Sequence, residues 1–207
     1  MKSKLFIRLD PQEWIAGLII AWLMLPLLIN AQSFPGRAIW DVQFAWEMEG
    51  VAPQKAVTYG NGIFYMARTF SSEVVMFDDA GNYTGTFAIP EITTFNDLEW
   101  DGTYLYALSN TTLLYEIDPV TQTLVGTLQL PMPAPRIMAW EIQQDAFWIG
   151  DWTGNLYLVN RQGMIMANYL TMEPVIDLEY DDHNDGHFLW FLANNGSGFR
   201  YFQVDML

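Results

Sequence analysis

Two pairs of carboxylates, Asp97 with Glu99 and Asp177 with Glu179, stand in short runs of otherwise apolar residues, Asp97–Trp100 and Val175–Tyr180. In an extended strand, residues two apart point to the same side, so each pair offers two acids to one face. Such a pair can serve as acid and base on a substrate, or hold a hard cation such as calcium through oxygen ligands. It can equally serve the fold, the Asp capping the entry to a strand and the Glu facing water. The structural role is favoured, because carboxylates placed for folding perturb one another too. A second set, Arg68, Arg136 and Trp152, falls at predicted loops and turns. With Asp97 and Asp177 it forms the candidate binding set, since an aromatic ring beside polar groups suits a sugar or a peptide. Trp152 covering the edge of a sheet is the simpler explanation of that residue.

Both histidines lie in Asp181-Asp182-His183-Asn184-Asp185-Gly186-His187. Asp181, Asp185 and Gly186 are in register with a calcium-binding loop. His183, however, replaces a carboxylate or amide, and Leu192 stands where the bidentate acid belongs. A solvated hairpin turn is the expectation there. The sequence holds no nucleophile elbow, phosphate loop, dinucleotide fingerprint or His-Glu-x-x-His. No metal and no cofactor are expected.

Composition narrows the field further. The 207 residues are 51% hydrophobic and 15% aromatic, enough to build a core. With no cysteine, a disulfide framework, a thiolate metal site and a cysteine nucleophile are excluded. A formal net charge of -15, without a basic patch, excludes nucleic acid as a partner.

The N-terminus carries Lys2, Lys4 and Arg8 before the apolar run Trp14–Ile29, 16 residues long. A bilayer-spanning helix needs about 20. Residues 1–31 therefore read as a signal helix cleaved after Ala31. The alternative is an uncleaved anchor, which would be the protein's only link to a membrane. Cleavage leaves 6 basic and 22 acidic residues, a net charge near -16. The location expected is secreted, periplasmic or cell-surface.

The elements that must position these side chains repeat with a period near 40. One aromatic column is Tyr59, Trp100, Trp140 and Tyr180, spaced 41, 40 and 40; a second is Tyr65, Tyr106, Trp148 and Trp190, spaced 41, 42 and 42. A polar column, Asp78, Asp118, Asn160 and Asp205, runs in step at 40, 42 and 45. Each unit divides into short runs rich in β-branched and aromatic residues, separated by turn signals such as Gly60-Asn61-Gly62 and Asp118-Pro119. The second unit predicts strands at 97–100, 103–109, 113–118 and 123–130. Four strands repeated every 40 residues predict an all-β fold, a β-propeller of four-stranded antiparallel blades. The blades fall at 54–90, 96–131, 136–171 and 175–207. Segment 32–53 contains one further strand-like run, Ile39–Met48, suited to completing the last blade and closing a ring of four. A part of a longer propeller fits the same pattern. The aromatic content is expected to be mostly blade packing.

The stretches NDLEWDGTYLYAL, LLYEIDPVTQTLVGTL and QDAFWIGDW resemble the propeller repeats of secreted Bacteroidota proteins of mostly unassigned function, many of them associated with type IX secretion. The resemblance spans about Gln43 to Leu207 and implies a fold and an exported location, with no reaction attached. NDLEW followed by LLYEIDPVTQTLVGTL also resembles part of one blade of bacterial glutamine cyclotransferases, which are five-bladed propellers. That family's early Phe-Thr-Gln-Gly-Leu stretch is missing from this sequence.

Threading the strands places the inter-blade connections and the second-to-third-strand turns on one rim, where propeller sites usually gather. Arg68, Phe70, Phe95, Asn96, Asp97, Arg136, Asp151, Trp152, Asp177 and Asn194 map there. The function expected is a non-catalytic module binding a glycan, peptide or envelope partner through that rim. The alternative is a propeller enzyme, a cyclotransferase or lyase, using Asp97, Glu99 and Trp152.

Overall fold

A computed structural model describes residues 54–181 and 187–206. The predicted signal segment 1–31, the strand-like run 39–48 and most of the 181–187 loop lie outside these residues. The repeat folds as the alternation of its side chains dictates. Blade 1 comprises β1 (Gln54–Gly60), β2 (Ile63–Arg68), β3 (Glu73–Asp78) and β4 (Tyr83–Ala88). Blade 2 comprises β5 (Asp97–Trp100), β6 (Leu105–Leu108), β7 (Leu113–Asp118) and β8 (Thr123–Gln129). Blade 3 comprises β9 (Ile137–Glu141), β10 (Ala146–Gly150), β11 (Asn155–Asn160) and β12 (Ile165–Leu170). Blade 4 shows β13 (Val175–Asp181), β14 (Phe188–Asn194) and β15 (Phe199–Asp205). Each sheet is an antiparallel meander in sequence order. The described residues form four blades of a β-propeller, the fourth with three strands. No helix among them is long and apolar enough to cross a membrane.

The polar column explains itself in the turns. Asp78 Oδ1 accepts the backbone N–H groups of Ala80 (3.0 Å) and Asn82 (2.8 Å). Asp118 Oδ1 accepts that of Val120 (2.8 Å), and Asn160 Oδ1 those of Gln162 and Met164 (both 3.0 Å). Each side chain closes the hairpin into the outermost strand, replacing strand pairing with a local bond. A bulge follows at the same place in three blades, between Met76 and Phe77, Glu116 and Ile117, and Leu158 and Val159. The outer-strand partner just before each bulge is small: Gly85, Gly126 or Ala167. A Cβ on Gly126 would lie 2.9 Å from Glu116 Oε2. The bulge adds twist to the rim strand, as a wedge-shaped blade requires.

Burial lies between blades. Tyr65, Ala67, Val74, Leu98 and Ala107 belong to the core joining blades 1 and 2, and Tyr106, Leu114, Met138 and Phe147 to that joining blades 2 and 3. Trp148, Leu158, Leu178 and Phe191 belong to the core joining blades 3 and 4. Three members of the second aromatic column, Tyr65, Tyr106 and Trp148, are buried in these cores. Backbones also approach closely at a seam: a Cβ on Gly60 would stand 2.5 Å from the Trp100 indole.

Candidate functional site

The innermost strands β1, β5, β9 and β13 surround the axis, and the edges they turn to it cannot all find strand partners. Asp97 and Glu99 serve that edge. Asp97 Oδ2 accepts the Met138 N–H of β9 at 2.7 Å while Oδ1 accepts its own neighbour's, Leu98, at 2.9 Å. Glu99 Oε1 takes the Trp140 N–H at 3.4 Å. In blade 4, Asp177 Oδ1 accepts the Leu178 N–H at 3.1 Å. Asp177 and Glu179 both stay exposed to the channel.

These acids raise one another's pKa. Burial pushes Asp97 up to about 7 against its two backbone hydrogen bonds, and the charges of Asp177 and Glu179 push the same way. Glu99 is held well above the carboxylate range, first by burial and then by the charges of Glu179 and Asp97. Glu179 rises to about 7 through enclosure by the channel wall and the charges of Asp177 and Asp181. Partial enclosure by the channel wall raises Asp177 too. Two pairs of strand acids thus form one axial cluster. Among the described residues no group of three or more His, Cys, Asp or Glu side chains is arranged to hold a metal ion.

Beside this cluster opens a cavity of about 570 Å³. Its wall takes one aromatic side chain from each blade, Tyr59, Trp100, Trp140 and Tyr180, together with Phe64, Glu99 and Glu179. Gly102 and Ile142, from first-to-second-strand turns, place the cavity on the rim opposite the inter-blade connections. The first aromatic column therefore lines a cavity, whereas the second packs blades. The signal was present in the sequence, because the column ends each innermost strand where the chain turns away from the axis.

The residues expected on the first rim separate. Phe95 is fully buried between blades 1 and 2. Arg68 forms an ion pair with Glu73 within its own blade. Asp97 and Asp177 lie within the axial cluster. Arg136 and Trp152 do meet, the guanidinium 5.4 Å from the indole centroid. Trp152 and Phe70 hold left-handed backbone, φ 68° and 54°, which bulky residues rarely adopt. Trp152 stays 45% exposed and Phe70 88%. Lys55 and the buried Asn96 join the Arg136 group: Lys55 Nζ donates to Asn96 Oδ1 at 2.7 Å. Lys55, Asn96 and Arg136 occupy one repeat position, four residues before the first aromatic column, so a polar column there could have pointed to this group.

No protein-family model matches the chain, and no curated protein matches it in sequence. Its likeness to solved structures is substantial. Glutaminyl cyclase of Myxococcus xanthus superposes with a TM-score of 0.61 at 11% identity, covering 79% of each chain. Hydrazine synthase of Kuenenia stuttgartiensis gives 0.56 at 13% identity over 77% of this chain and 49% of that one. The Pan2 WD40 domain of Neurospora crassa gives 0.51 at 10% identity, over 69% and 44%. What they share is the propeller fold.

Proposed function

We propose that this chain is a non-catalytic binding module that admits a ligand, a glycan or a peptide or a segment of an envelope protein, into the axial cavity. The observation that carries this reading is the cavity wall: one aromatic side chain from each blade, with Glu99 and Glu179 among them. A mostly apolar concavity with a few converging polar groups is the usual form of a small-ligand site. The mouth lies opposite the rim singled out by loop position alone, and the acids there disfavour anionic ligands. We place the protein outside the cytoplasm, on the strength of the basic-apolar N-terminus, the absence of cysteine and the resemblance to exported Bacteroidota propellers. A glycan and peptide array at physiological salt tests the reading. Tyr59→Ala and Glu179→Gln alter exposed wall residues and should abolish specific binding; no ligand on either array would end it.

A second reading is acid–base catalysis in the same cavity. It is favoured by one observation, that Glu99 and Glu179 share a channel and each holds its proton more firmly than an isolated carboxyl. One structural neighbour is a glutaminyl cyclase, so cyclisation of an N-terminal glutaminyl peptide is the assay. Turnover lost in Glu99→Gln would replace the binding reading with this one, and no turnover at micromolar protein would retire it.

A further inference from the structure

The described residues contain five basic side chains, Lys55, Arg68, Arg136, Arg161 and Arg200. Three are ion-paired: Arg68 with Glu73, Arg161 with Asp101 and Asp145, and Arg200 with Glu173. Lys55 and Arg136 form no ion pair among the described residues, although acids outnumber bases in this chain by 24 to 9. They are instead held close to each other by neutral groups. Buried Asn96 accepts from Lys55 through Oδ1 and donates through Nδ2 to Ser109 O at 2.8 Å and Asn110 Oδ1 at 3.3 Å. Asn110 Oδ1 in turn accepts from Arg136 Nη1. Arg136 lies over Trp152, so blades 1, 2 and 3 each contribute to one constellation on the first rim.

Two like charges fixed by amides, with no carboxylate among the described residues paired to either, are unfavourable unless something else supplies the anion. Burial and then the nearby Arg136 charge pull the Lys55 pKa down, while the Asp97 charge pushes it up. Asp97 acts on Lys55 only through its field and forms no ion pair with it or with Arg136, both its oxygens being turned to backbone N–H groups.

We infer that Lys55 and Arg136 form a site for a single ligand carboxylate, and that Trp152 beside them receives the ring of the sugar bearing it, a terminal uronate. The guanidinium supplies a planar fork of donors matched to a carboxylate, and Lys55 supplies a point charge. The exposed indole offers a flat apolar surface to a pyranose ring. The acidic remainder of the surface limits the ligand to one negative charge and excludes a polyanion. This site lies at the mouth opposite the axial cavity and stands independently of the function proposed there.

The test is calorimetric titration of the full chain with an aldobiouronic acid, its methyl ester, and a tripeptide with a free C-terminal carboxylate. The acid should bind, and the ester about tenfold or more weaker, the loss of one charge-assisted hydrogen bond. Lys55→Gln and Arg136→Gln should each cause a similar loss, Lys55→Arg should retain binding, and Glu179→Gln should leave it unchanged. Lys55 is exposed, so its substitution keeps the test valid even if Arg136→Gln disturbs the fold. Equal affinity for acid and ester, binding of the tripeptide alone, or no binding of the acid would each overturn the assignment.

Discussion

Asp97 of blade 2 accepts the backbone N–H of Met138 in blade 3 at 2.7 Å, so a side chain closes a hydrogen bond that no neighbouring strand supplies. Innermost strands β5 and β9 splay around the axis, and an amide on the inner edge of β9 would otherwise be left without an acceptor. Asp97 is thus a fastening between blades as well as a member of the acidic cluster.

Asp97→Ala should destabilise the protein by about 1–3 kcal/mol, the cost of leaving a buried donor unsatisfied. Asp97→Asn keeps one oxygen acceptor and should cost less. Urea denaturation gives the size of the effect, and hydrogen exchange at the Met138 amide gives its location. Slow exchange there in Asp97→Ala would show that the fastening is not what protects that amide.

Much of this was legible from sequence, because it depends on local rules. The second unit's strands at 97–100 and 113–118 agree with β5 and β7, since alternating side chains and Asp or Gly turns act within a few residues. What escaped is decided between blades. Phe95 sits in a connection and reads as a rim residue, yet it is fully buried, because the connection folds back over the seam. The mouth that widens into a cavity depends on how four innermost strands tilt together, and no single repeat encodes that. The Lys55–Asn96–Asn110–Arg136 chain crosses three blades; Lys55, Asn96 and Arg136 share one repeat position, spaced 41 and 40, but their differing side chains hide the column.

The axial acids make stability fall as pH rises. In the folded state Asp97, Glu99, Asp177 and Glu179 keep their protons to higher pH than in the unfolded chain. From the ordinary carboxylate range near pH 4 to about 7, the folded form therefore binds more protons. Their contribution is fully present below that window and is lost as pH passes through it. Asp78 and Asp118, whose pKa values are lowered by hydrogen bonds in their turns, act with opposite sign and only at more acid pH. Tm measured from pH 5 to 8 should decline. Glu99→Gln/Glu179→Gln should flatten that decline and raise Tm at pH 8, by roughly 2–4 °C for each kcal/mol of repulsion removed. An unchanged slope in the double variant would show that the two carboxyls do not govern it.

Arg161 forms an ion pair between blades 2 and 3. From the turn after β11 it reaches Asp101 in blade 2 (Nη2 to Oδ2, 2.7 Å) and Asp145 in its own blade (Nε to Oδ1, 2.9 Å). It also donates to the Tyr106 hydroxyl, and its guanidinium lies 4.5 Å from the Trp140 ring centroid. The Asp101 side chain is only 4% exposed, so removing the arginine strands a nearly buried carboxylate. Arg161→Ala should cost about 3 kcal/mol, within the range for breaking one side of a buried pair. Arg161→Lys should recover little of that, because an ammonium can neither bridge two carboxylates with a planar fork nor stack in the same way. A double-mutant cycle with Asp101→Asn separates the pair from the packing: a coupling near zero would assign the loss to the contact with Trp140. That contact also reaches the axial cavity, because Trp140 forms part of its wall. Arg161→Ala should accordingly alter tryptophan fluorescence and weaken any cavity ligand, although Arg161 does not line the cavity itself.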